Sequence, residues 1–165
     1  MQNILNMSTY KYHTLILMLI LLIISCEKED KDDIPPAIDM SAENHNPANC
    51  DTVYIGEAFV FKATFTDNNE LGAYSIDIHH NFDHHTHSTQ PEHCELDPQK
   101  EPTEDVFVFI ETYDIPSGSK KYDANDTIFI PNDVDTGDYH FFVSLTDKEG
   151  WQTVKGISIK IMDRD

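Results

Sequence analysis

The chain has 165 residues, of which 30 are acidic and 11 basic, giving a net charge of −19 that argues against nucleic acid or any phosphate-rich surface as a partner. Such a field attracts divalent cations, although solubility alone accounts for it without any ligand. Hydrophobic residues make up 39% of the chain and aromatic residues 10%, enough to fill one core.

Residues 14–24, TLILMLILLII, form an apolar run preceded by Lys11 and His13. The run is shorter than the roughly 18 residues a spanning helix needs and reads as a secretory signal, with Met7 as a second candidate start. Ile23, Ile24, Ser25 and Cys26 resemble the lipobox of bacterial lipoproteins, which implies cleavage before Cys26, lipidation of that residue and anchorage to a membrane; a plain signal peptide with a chance cysteine is the alternative. The following EKEDKDD is too polar to fold, and Lys28, Glu29 and Asp30 resemble the surface-display signal of Bacteroidota lipoproteins. The expected location is therefore the outer membrane, facing the cell surface, with the periplasmic face as the alternative. The expected organisation is a signal peptide over 1–25, an acidic tether over 26–34 and one domain over 35–165. Removing residues 1–25 takes away Lys11 and no acidic residue, so the remaining 140 residues carry −20.

With Cys26 taken by lipid, Cys50 and Cys94 remain, and in an exported chain they are expected to pair as a disulfide. The competing reading makes Cys94 a thiolate metal ligand beside His93.

The body of the chain has a hydrophobic period of two. AFVFKATFT (58–66) alternates Phe59, Phe61, Ala63 and Phe65 with Val60, Lys62 and Thr64, and AYSIDIHHNF (73–82) sets Tyr74, Ile76 and Ile78 against Ser75, Asp77 and His79. Further strands are predicted at DVFVFIETY, DTIFIP, DYHFFVSLTD and QTVKGISIKIM, separated by the turn signals DNNELG, PSGSKK, PNDVDTG and DKEG. With a short first strand near PAIDM this makes about seven antiparallel strands and predicts an all-β sandwich. Asp135, Gly137 and Tyr139 resemble the D-x-G-x-Y tyrosine corner, which sharpens the prediction to an immunoglobulin-like sandwich.

In that topology AYSIDIHH pairs antiparallel with YHFFVSL, so His79 and His140 become neighbours, both pointing away from the core. His79 opens the stretch HHNFDHHTHSTQPEHC (79–94), which holds six histidines. His84, His85 and His87 leave from the same end of the sheet, and in extended backbone His85 and His87 share a side while His84 faces away. His79, His80, His84, His85, His87 and His140 are the candidate metal ligands, although alternation puts His80 on the core side with Ile78. Neutral imidazole suits late first-row metals, and zinc is expected ahead of copper. No H-E-x-x-H or C-x-x-C pattern is present, and a solvent-exposed polar loop is the bland alternative.

The lipobox, HHNFDHHTH, ELDP, ETYDIP and the closing DTGDYHFFVSLTDKEGWQTVKGISIKI together resemble an uncharacterised family of Bacteroidota lipoproteins, a domain of unknown function with an immunoglobulin-like sandwich. The resemblance spans most of the chain after Cys26 and implies fold and location without implying an activity. It makes the histidine run the obvious candidate site.

Catalysis is not expected, since Ser88 beside His87 or Asp83 is only local adjacency and no residue stands out as general base for a metal-bound water. DNNE (67–70) and NDVDTGD (132–138) offer oxygen ligands for calcium but lack EF-hand spacing and read as turns. Trp151, beside the last hairpin turn, reads as core packing or strand-edge cover. Two functions follow from these residues. One is a tethered protein that captures zinc or copper, to buffer it or to pass it to an outer-membrane transporter or another envelope protein. The other is an adhesion or accessory module whose sheet face recognises a protein or glycan.

Overall fold

The computed structural model of the chain describes residues 32–40, 45–87, 94–103 and 105–164. The signal segment, Cys26 and the acidic run up to Lys31 lie outside the described residues, as do Ser88 and His93. From Asp32 onward the chain is one compact unit. No helix among the described residues is long and apolar enough to cross a membrane.

Eight strands are described: β1 (Ala37–Asp39), β2 (Asp51–Tyr54), β3 (Ala58–Thr66), β4 (Leu71–His80), β5 (Phe109–Asp114), β6 (Lys121–Phe129), β7 (Gly137–Asp147) and β8 (Gln152–Met162). They form two sheets, β1-β3-β6 and β2-β8-β7-β4-β5, and the result is an immunoglobulin-like β-sandwich. Period-two patterning drives the arrangement. Phe61 and Phe65 of β3 face Tyr74 of β4 and Phe141 of β7 across the core, with ring centroids 5.6 Å apart for Phe61–Phe141 and 4.9 Å for Phe65–Tyr74. Ile76, Ile78, Ile128, Tyr139, Val143 and Leu145 complete this layer at zero exposure.

The tyrosine corner is present: the Tyr139 hydroxyl donates to the Asp135 carbonyl at 2.6 Å and accepts from the Phe107 N–H at 3.2 Å. Burial pushes the Tyr139 phenol up to about 12, so it remains a donor.

Three elements differ from the sequence expectation, each for a physical reason. β2 has only four residues, with Val53 alone buried, and gains its order from parallel pairing with the edge of β8 rather than from its own pattern. β6 begins at Lys121, inside the expected turn, because nine consecutive positions pair with β3. Residues 105–108 are not strand: Asp105 makes a single bridge to Val134, while Phe107 is drawn into the core at the tyrosine corner.

The long connection from β4 to β5 is tied down in several places. Cys50 and Cys94 form a disulfide, and the segment after Cys94 then braces the start of the loop. The Lys100 N–H donates to the Phe82 carbonyl at 3.1 Å, the Gln99 amide to the Asp83 carbonyl at 2.7 Å, and the Asp97 N–H to Asp138 Oδ2 at 2.7 Å. Pairing of the two cysteines removes Cys94 as a thiolate ligand.

Candidate metal centre

β4 and β7 pair so that His79 lies directly opposite His140. Alternation turns both side chains to the outer face, because Ile78, Tyr139 and Phe141 occupy the core face. His140 is nevertheless fully buried, since the loop following β4 folds back over it.

That fold-back is built from a few local features. Asn81 and Phe82 are buried anchors, and the Phe82 ring packs edge-on against Tyr139 at 5.4 Å. His84 then adopts a left-handed conformation, φ 59°, with its N–H donating to the Asn81 carbonyl at 3.1 Å. The chain reverses there, so the rings of His85 and His87, two apart, turn toward His79 and His140, with His85 half-buried and His87 still exposed on its outer side.

The result brings four of the six predicted ligands together. Each of His79, His85, His87 and His140 offers a ring nitrogen, and these four atoms lie within 4.8 Å of one another. The His140 ring centroid is 5.4 Å from His79 and 4.7 Å from both His85 and His87. Tetrahedral zinc with nitrogen ligands needs neighbouring donors about 3.3 Å apart, so these four would have to draw closer to surround an ion.

Carboxylates orient two of the rings. His79 Nδ1–H donates to Asp77 Oδ1 at 2.8 Å and His85 Nδ1–H to Asp83 Oδ1 at 2.5 Å, which puts the lone pair of each ring on Nε2. His140 Nε2–H donates to the His85 carbonyl at 3.1 Å, so its lone pair resides on Nδ1. Phe142 closes one side, with its ring 4.6 Å from His87 and 5.6 Å from both His79 and His140.

Burial in this pocket holds His140 neutral, lowering its pKa to about 4, with the neighbouring imidazoles pushing the same way. His87 is also lowered, first by burial and then by the charges of His85 and His79. The hydrogen bond from His85 keeps the Asp83 carboxyl below the ordinary range. The lowered values of His140 and His87 favour the neutral ring with a free lone pair, which is the state a metal requires.

His80 and His84 lie apart from the cluster. His80 sits on the opposite face of β4 with its ring 5.0 Å from Phe82, and its Nδ1 is buried without a hydrogen-bond partner. His84 is turned away by the reversal it creates, and its Nε2–H donates to the Asp97 carbonyl at 2.9 Å. Asp77 and Asp83, which bond His79 and His85, are members of the candidate site that the reading of the histidines passed over. Their signal was in the sequence, since D-x-H occurs three times, at 77–79, 83–85 and 138–140, although only the first two carboxylates bond their histidine, Asp138 being held instead by the Asp97 N–H and Lys160.

No curated protein matches the chain. A family model described as a domain of unknown function (DUF4625) matches residues 24–162, which include every strand and all four clustered histidines, and the chain belongs to that family.

Proposed function

We propose that the protein is a lipid-anchored envelope protein of Bacteroidota type that captures a late first-row divalent metal, zinc ahead of copper, through His79, His85, His87 and His140. The observation that carries the reading is the convergence of four ring nitrogens within 4.8 Å from two paired strands and one loop. Four imidazoles and no thiolate suit zinc, copper and nickel. Rings supplied both by the sheet and by the loop above it favour a tetrahedral ion over a square-planar one. Four protein ligands leave no open position for substrate, which supports holding or handing over the ion rather than catalysis on it. The lipobox and the acidic segment after Cys26 support the envelope location, where the ion would be buffered or passed to an outer-membrane transporter.

A second reading, recognition of a protein or glycan by the sheet face, has its own support. The histidines border an open groove lined by Ser75, Asp77, Ile110 and Ser144, and Ile110 is 66% exposed. Titration calorimetry separates the two, using zinc and copper on the oxidised protein and on the His79→Ala/His140→Ala double variant. Saturable sub-micromolar binding of one ion, lost in the double variant, is the expected result. Weak binding of several ions, indifferent to both substitutions, would overturn the metal reading and favour the groove.

A further inference from the structure

At the other end of the sandwich a second set of ligands gathers, all of them oxygen. Asp32, ahead of β1, meets Asp147 and Glu149 of the β7–β8 hairpin, and one carboxylate oxygen from each lies within 4.8 Å of the others. One oxygen of each carboxylate is already engaged. Asp32 Oδ1 accepts from the Ile34 N–H at 3.1 Å and the Asn68 amide at 2.9 Å, Asp147 Oδ1 from the Trp151 N–H at 2.8 Å, and Glu149 Oε1 from the Asn69 amide at 2.9 Å.

The remaining oxygens carry the argument. Asp147 is 4% exposed and Asp32 9%, and Oδ2 of each is shielded from water with no hydrogen-bond partner. A third buried acceptor without a partner, Asp67 Oδ2, lies on the same β3–β4 loop that supplies Asn68 and Asn69. None of the ion pairs among the described residues reaches Asp32, Asp147 or Glu149, and the nearby Lys148 pairs instead with Glu70. Lys120 acts on Asp32 at longer range, but buried anionic oxygens with no donor of their own and no ion pair are strongly disfavoured unless a cation joins them.

We infer that Asp32, Asp147 and Glu149 form a binding site for a hard divalent cation, calcium in preference to magnesium. The donors are all oxygen, which selects against zinc and copper. Asp32 comes from one segment and Asp147 and Glu149 from another, a set without octahedral pre-organisation that suits calcium's adaptable coordination better than the strict octahedron of magnesium. The ion would pin residue 32, through which the chain enters the sandwich, onto the last hairpin. Trp151 is the sole tryptophan, and its indole N–H donates to the Asp32 carbonyl at 2.9 Å, so its fluorescence reports directly on the site.

The test is a calcium titration of the full chain in detergent, followed by calorimetry and by Trp151 emission, with magnesium in parallel. The expected result is one saturable calcium per chain, a change in emission with the same midpoint, a rise of several degrees in Tm at saturation, and weaker binding of magnesium. Asp147→Asn and Glu149→Gln should each weaken calcium at least tenfold, whereas His79→Ala/His140→Ala should leave it unchanged. Should Asp147→Asn fail to fold, the exposed Glu149→Gln decides alone. Calcium binding only as a diffuse, multi-ion process with unchanged Trp151 emission, or binding equal to wild type in Glu149→Gln, would overturn the proposal.

Discussion

His140 shows how one residue couples the fold to the candidate metal centre. Its ring is fully buried against His85 and Phe142 and stays neutral, with a pKa lowered from 6.5 to about 4. As pH falls, the unfolded chain takes up this proton first, so the stability contributed by the neutral ring is intact above pH 6.5 and is lost between 6.5 and 4. The loss expected of the metal-free protein over that window is about 3 kcal/mol. Denaturant unfolding at a series of pH values, with chelator present, should show that slope in wild type and a flatter one in His140→Gln. Asp77 acts at the same scale. Its carboxylate sets the tautomer of His79, so Asp77→Asn should weaken zinc by about 10- to 100-fold without unfolding the sheet, measured by competition with a chromophoric chelator.

At the scale of elements, the register of β4 on β7 decides whether a site exists. A slip of one residue would turn His79 into the core and Ile78 to the outer face. The pairing has an irregularity between Leu71 and Ala73, and Gly72 occupies it. A Cβ at Gly72 would come within 2.8 Å of the Thr146 and Asp147 carbonyl oxygens, and backbone there cannot simply move aside. Gly72→Ala should therefore destabilise the domain by about 1–3 kcal/mol, read as a lower denaturation midpoint. A loss below about 0.5 kcal/mol would show that the strand pair yields more easily than its pairing suggests.

For the whole molecule, the disulfide links fold stability to the candidate metal centre. Cys50 and Cys94 are 44 residues apart in sequence, and closing a loop of that length restricts the unfolded chain by about 4 kcal/mol on the chain-entropy argument. The segment it anchors also holds the turn at 82–84 through Gln99 and Lys100. Cys50→Ser/Cys94→Ser should lower Tm and, at temperatures where the domain remains folded, weaken zinc as well. Unchanged zinc affinity in that variant would show that the turn is held by Phe82 and His84 alone.

The two-sheet sandwich was legible because alternation is a local property: each of Phe61, Phe65, Tyr74, Ile76 and Phe141 declares its face from its immediate neighbours. The tyrosine corner was legible for the same reason, as was the expectation that His79 would meet His140, which needs only strand order and parity. β2 escaped because four residues with a single buried side chain carry no period, and pairing with β8 supplied what the pattern lacked. Parity also set His80 on the core side and His84 away from His85 and His87; what lay beyond sequence was the fold-back that carries His85 and His87 of the run onto His79 and His140. It depends on a left-handed turn at His84 and on hydrogen bonds from residues 97–100, contacts between segments that no local pattern encodes. The same holds for Asp32, far in sequence from Asp147 and Glu149, which joins them only when the hairpin closes over the start of the domain. Sequence by itself determined which face of each long strand meets the core and which chemistry was available. Tertiary structure decided which of those side chains share a site, because convergence is set by long-range register and loop bracing.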